Sequence, residues 1–172
     1  MCALTILLLI AACASNEEEI ETSHDIYSSY KEKGVASYFS VPPGIASVFI
    51  DEDEPGNAEL KVLLKDLNHL NFLIIPNKHN VKDNIYLSDI NERLNAINFI
   101  DLASINNGQE IVTVKILKSE TDTIADEMVV LVSNYESLFC ISFKGNISLS
   151  NIANLTKPEN MEAMSNLNRF KN

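Results

Sequence analysis

The chain has 172 residues and a formal net charge of −11, set by 24 Asp and Glu against 13 Lys and Arg. That balance argues against nucleic acid as a partner, because binding a polyanion calls for basic patches. It also opposes adsorption of the protein surface to anionic lipid.

The N-terminus carries the strongest signal. An apolar run over residues 3–10 leads into Ile10-Ala11-Ala12-Cys13 and then into Ala14-Ser15-Asn16-Glu17-Glu18-Glu19. The run is too short to span a bilayer as a permanent helix and has the length of a signal-peptide core. Small side chains directly before a cysteine suit the narrow site of a lipoprotein signal peptidase. Residues 1–12 are therefore expected to be a lipoprotein signal peptide, leaving Cys13 first in the mature chain with lipid on its sulfur and amino group. No Lys or Arg precedes Lys31, whereas a signal peptide ordinarily opens with positive charge; a buried N-terminal strand or helix is the competing reading.

Several acyl chains on Cys13 would anchor the protein stably, each buried methylene contributing about 0.8 kcal/mol. Residues 13–24 then form a lipidated acidic tether, and the expected membrane contact runs through the lipid on Cys13. Ser15-Asn16-Glu17-Glu18-Glu19 resembles the acidic tag by which some diderm bacteria export lipoproteins to the cell surface. A solvated spacer reads equally well, so an outer-membrane lipoprotein facing either the periplasm or the outside is expected. With Cys2 removed and Cys13 lipidated, Cys140 has no disulfide partner, and stability must come from packing.

About 160 residues remain after cleavage, enough for one domain with a core. Residues 17–33 read as an amphipathic helix with Ile20, Tyr27 and Tyr30 inside, closed by Gly34. Residues 35–41 are extended and end at Pro42-Pro43. A short helix or turn follows, with Ile45, Val48 and Phe49 expected to face inward. Residues 51–57 are loop by composition. Leu60, Leu63, Leu64 and Leu67 recur at helical spacing, and the run 70–75, ended by Pro76, predicts a buried strand. After a polar loop over 77–83, residues 85–97 predict a helix aligning Tyr86, Ile90, Leu94 and Ile97.

The second half changes character. Residues 99–105, 111–117, 128–132 and 138–143 are four strand-like runs joined by short polar turns, hence an antiparallel meander. Lys115 and Lys118 mark an expected wet face. Ser148 is the expected N-cap of a short helix that places Leu149, Ile152 and Leu155 inside. The fold class is α+β: a mostly antiparallel sheet, the four-strand meander plus one or two further strands, with helices packed on one face. The domain is expected over residues 25–157, followed by a polar tail over 158–172.

The chemistry-bearing residues form no catalytic pattern. Asp51-Glu52-Asp53-Glu54-Pro55-Gly56 begins like a calcium loop but puts Pro55 at the fifth position and Val62 at the twelfth, where ligands belong. His24, His69 and His79 are scattered, so no metal site is expected. Cys140 lies among apolar neighbours and reads as an inert core thiol. No GxSxG, phosphate loop or cofactor motif is present. Asp101, Glu110, Asp126, Glu127 and His69 would matter to catalysis only if two or more converged in a pocket. Asp122-Thr123-Ile124 matches a pattern for periplasmic O-glycosylation, which makes Thr123 the candidate acceptor.

Four segments together resemble a known family: Tyr30-Lys31-Glu32-Lys33-Gly34-Val35, Val41-Pro42-Pro43, Leu70-Asn71-Phe72-Leu73-Ile74-Ile75 and Phe143-Lys144-Gly145-Asn146-Ile147-Ser148-Leu149-Ser150-Asn151-Ile152. The chain resembles the bacterial envelope lipoproteins grouped as domain of unknown function 4252. The resemblance implies an extracytoplasmic lipoprotein and no assigned reaction, and it supplies no catalytic residues. The expected function is a non-enzymatic, membrane-tethered binding or adaptor module with another envelope protein as partner. Such a module should expose an apolar or aromatic patch. The alternatives are a small envelope hydrolase or transferase, and a lipoprotein of the envelope-stress response.

Overall fold

The computed structural model describes residues 21–77, 85–157 and 160, and is an α+β fold of five helices and one open six-stranded sheet. The expected signal peptide and Cys13, most of the acidic tether, the loop at 78–83 and nearly all of the tail lie outside these residues. The elements run α1 (Ser23–Glu32), β1 (Ser37–Val41), α2 (Pro43–Val48), α3 (Asn57–Leu64), β2 (Leu67–Pro76), α4 (Ile85–Ala96), β3 (Ile100–Asn106), β4 (Glu110–Lys118), β5 (Ile124–Asn134), β6 (Ser137–Ser148) and α5 (Leu149–Leu155). Strand order is β1-β2-β6-β5-β4-β3, antiparallel throughout. The meander of β3 to β6 is the expected one; its last strand returns beside β2, and β1 completes the sheet.

Helices cover both faces of this sheet, not the one expected. On one face α2, α3 and α5 supply Ala46, Leu60, Leu63, Leu64, Ile152 and Leu155 to a core with Phe72, Val114, Met128, Val130, Ile141 and Phe143. On the other face α1 and α4 supply Ile26, Tyr27, Tyr30, Ile90 and Leu94 to a core with Leu73, Ile75, Val129, Leu131, Leu138 and Cys140. The physical reason lies in the central strands. Val129, Leu131, Leu138 and Cys140 are apolar on the supposedly wet side, and a strand apolar on both sides must be covered on both. Lys115, expected on a wet face, is buried with its ammonium paired to Asp101.

Local chemistry explains the ends of the elements. Thr22 caps α1: its hydroxyl accepts from the Asp25 N–H at 3.3 Å, while the Asp25 carboxylate accepts from the Thr22 N–H at 2.8 Å. This reciprocal arrangement satisfies two donors that helix geometry leaves over. Gly34, with φ of 69°, ends the same helix in the left-handed region. Ser148 caps α5 as expected, accepting from the Ser150 N–H at 3.3 Å. β2 starts earlier than expected, at Leu67, which leaves the helical pattern of α3 and begins the strand. β6 runs on past residue 143, where the expected strand ended, through Gly145 and Asn146 to Ser148.

Helices α1 and α4 are tied by polar contacts as well as by packing. The Tyr30 hydroxyl donates to the Asp89 carboxylate, and Arg93 donates to Ser29 Oγ at 2.9 Å and pairs with Glu21. Lys33 and Arg93 both stand over the Tyr30 ring, at 5.3 and 5.7 Å from its centroid. These contacts hold α1 against α4.

Candidate functional site

Helix α2 presents its apolar side to solvent. Proline at both Pro42 and Pro43 starts it, since a fixed φ and a missing N–H are tolerated in the first turn. Among its residues Ala46 is the buried one, with Ile50 buried just beyond. Ile45, Val48 and Phe49 were expected to face the core; instead they are 53%, 78% and 71% exposed. The i, i+3, i+4 spacing places them correctly on one stripe. The direction of that stripe is reversed, because Ala46 is the residue small enough to let so short a helix sit close to the sheet. On the next helix, α3, Val62 is exposed at 47%.

An acidic loop borders this stripe. Asp51, Glu52, Asp53 and Glu54 follow Phe49 after the buried Ile50 and are all exposed. Lys61 of α3 reaches back to Glu52 at 2.9 Å. Asn57 fastens the end of the loop, donating from its side chain to the Asp51 carbonyl at 2.6 Å. Between α2 and α3 lies an open groove of about 590 Å³, lined by Ser47, Val48, Leu64 and Lys65 among others. The region therefore combines an exposed apolar stripe, an adjoining groove and a run of carboxylates.

The model of domain of unknown function 4252 matches residues 30–155. The chain belongs to this family. Comparisons with curated proteins and with solved structures returned no match. The family region runs from the last turn of α1 through α5, so it takes in the whole sheet, the α2 stripe and all of the first core, and all of the second core except Ile26 and Tyr27.

Within the family domain the residues singled out in the sequence fall apart in space. Asp101 lines a groove against α4, and Glu110 lines another beside Asn106 and Tyr135. They do not face one another: Asp101 is opposite Lys115, and Glu110 is opposite Asn134. Asp126 is exposed, while Glu127 is buried and accepts from the Ser142 hydroxyl at 2.5 Å. His69 and Glu127 flank Lys144 on adjacent strands, in one row across β2, β6 and β5. Among the described residues no group of three His, Cys, Asp or Glu side chains could hold a metal ion. Among the same residues no helix is long and apolar enough to cross a membrane.

Three further groups have distinct surroundings. Cys140 is fully buried, and burial pushes its thiol well above the ordinary range. Tyr27 is also fully buried, its hydroxyl has no hydrogen-bond partner among the described residues, and burial, then the nearby Cys140 and Glu127, raises its pKa. Thr123 is exposed in the turn before β5, accessible in the way a modification acceptor must be. The sequence reading missed the exposed stripe, although the signal was present: three large apolar residues beside one alanine on a two-turn helix.

Proposed function

We propose that this chain is a lipoprotein of the bacterial cell envelope, tethered through lipid on Cys13, that acts without catalysis as a docking module for another envelope protein. The observation that carries the reading is the stripe of Ile45, Val48 and Phe49, turned to solvent beside four consecutive carboxylates. Large exposed apolar groups grouped on one face mark interaction surfaces, and aromatic anchors are enriched where binding energy concentrates. The acidic border selects the occupant. It repels anionic lipid and favours a protein segment whose apolar side chains are flanked by Lys or Arg. Tethering at Cys13 would raise the effective concentration of this surface for partners in the same membrane.

A photo-crosslinking residue at Val48, compared in cells with one at the exposed Glu120 outside the stripe, tests the reading. The expected result is a discrete adduct with another protein from position 48 alone, weakened by Asp53→Lys with Glu54→Lys and by added salt. Equal labelling at both positions, an adduct within the chain or with a second copy, or insensitivity to charge reversal would overturn it. The tether has its own test: Cys13→Ser should release the protein from the membrane fraction, and unchanged fractionation would remove the lipid anchor from the proposal.

A further inference from the structure

Strand β3 forms one edge of the sheet, and among the described residues it pairs with β4 alone. Its outer row of N–H and C=O groups is open to a further strand. Natural edges are commonly blunted by proline, by lysine or by shortness. The opposite edge is blunted in this way: β1 has five residues and runs straight into Pro42-Pro43. β3 has seven residues, contains neither proline nor lysine, and holds Ile100, Leu102 and Ile105 at 45%, 44% and 36% exposure.

Each face of β3 has a distinct character. Residues opposite one another on paired strands share a face. Ile100, Ala103 and Ile105 stand opposite Ile116, Val114 and Val112, which belong to the core shared with α2, α3 and α5. That core is buried as far as β4 and ends at the exposed isoleucines of β3. On the other face Ser104 stands opposite Thr113, their hydroxyl oxygens 3.5 Å apart.

Charge and pattern together select a second copy as the occupant. With a net charge of −11, two copies repel over most of their surface. β3 is neutral by contrast, because its one charged residue, Asp101, is paired with Lys115. The strand also complements itself about a two-fold axis at Ser104. Ile105 then lies opposite the second copy's Ala103, and Ala103 opposite its Ile105, large against small on the core face. Ser104 meets its own copy, extending the Thr113–Ser104 hydroxyl pair across the seam. The two Asp101 carboxylates fall about 20 Å apart along the strands, beyond the Debye length of about 8 Å. A foreign strand would have to supply this order of residues, whereas a second copy supplies it by symmetry.

We propose that two copies of this chain pair antiparallel through β3, about a two-fold axis at Ser104, joining two six-stranded sheets into one. The added strand covers Ile100 and Ile105 and takes up the open backbone groups of the edge. The seam stands at the sheet edge opposite β1, which leads into α2. Dimerisation and docking at the α2 stripe can therefore fail separately.

Non-reducing electrophoresis of the full-length protein after mild oxidation tests the pairing. Opposite Cα atoms of antiparallel strands stand about 4.5–5.5 Å apart, within reach of a disulfide. Ser104→Cys should give a covalent dimer well above the background set by the parent and by Ser40→Cys, exposed on the β1 edge. Ala103→Cys and Ile105→Cys should cross-link when the two variants are mixed and far less when each is alone, which fixes the register. The seam is short against a standard interface of about 1,200–2,000 Å², so sedimentation equilibrium of the parent should give a dissociation constant of about 10 μM. Ile105→Lys should weaken association at least about tenfold and leave the melting temperature of the dilute protein within a few degrees. A monomer at up to about 200 μM, equal cross-linking at positions 40 and 104, or a dimer indifferent to Ile105→Lys would each overturn the proposal. So would an adduct of Ser104→Cys in cells with another protein, or within its own chain, in place of the dimer.

Discussion

Gly145 of β6 lies directly against the backbone of Asp66. A Cβ built on Gly145 would stand 2.8 Å from the Leu67 Cα and closer still to the Asp66 carbonyl oxygen. The contact sits where the β2–β6 register shifts between Leu67 and His69, so the irregularity brings one backbone onto the other. This glycine belongs to the Phe143-Lys144-Gly145 segment that contributes to the family resemblance, and its role is close approach.

Gly145→Ala is therefore expected to destabilise the fold by about 1–3 kcal/mol, the range for forcing extra volume into a packed site. Gly44→Ala, where a Cβ meets nothing within 4 Å, should be near neutral. Urea unfolding of the two variants side by side measures the difference.

The reversed orientation of α2 gives opposite expectations for neighbouring positions. Val48→Asp and Phe49→Ser should each change stability by no more than about 0.5 kcal/mol, as for surface substitutions generally. Ala46→Asp would bury an unpaired carboxylate and should unfold the protein or lower its melting temperature steeply. Thermal melts of the three variants decide the matter; an unfolded Val48→Asp chain would restore the inward-facing helix.

Cys140 should be chemically silent in the folded protein. Its thiol is buried and its pKa is raised by burial, so little thiolate forms in the native state and reagents cannot reach it. Iodoacetamide at neutral pH should leave the Cys140 peptide unmodified, and label it fully in denaturant. Rapid native labelling, read by peptide mass spectrometry, would contradict the burial.

The cap of α1 should confer a pH dependence. The Thr22 hydroxyl, then the Thr22 backbone N–H, holds the Asp25 carboxylate below its ordinary value of 3.8. A carboxylate lowered in the folded state adds stability above that ordinary value, and the contribution fades as pH falls through the folded pKa. Asp25 is nearly all exposed, so the effect is small. The stability gap between the parent and Asp25→Ala should therefore be present at neutral pH and shrink in strong acid. A gap that widened on acidification would contradict the capping role. Thr22→Ala removes the other half of the cap and should cost about 0.5–2 kcal/mol at neutral pH.

The α+β class, the four-strand meander, the helices α1, α3 and α4, and the Ser148 cap were all legible from residue order, because each rests on periodicity or capping chemistry within a short window. The lipobox around Cys13 is equally local and remains an expectation from sequence. What local pattern could not convey was direction. Ile45, Val48 and Phe49 form a stripe at helical spacing whichever way it points, and only the fit of Ala46 against the sheet turns it outward. Lys115 reads as a marker of solvent until Asp101, fourteen positions earlier, is placed opposite it across β3 and β4. The coverage of both faces, the closure of β6 onto β2, and the groove between α2 and α3 depend on the packing of whole elements and not on a short window of sequence. Sequence alone determined which segments become helices and strands, since that choice is made within a few residues. Tertiary structure decided which of their faces meet water, since that depends on what the rest of the chain brings against them.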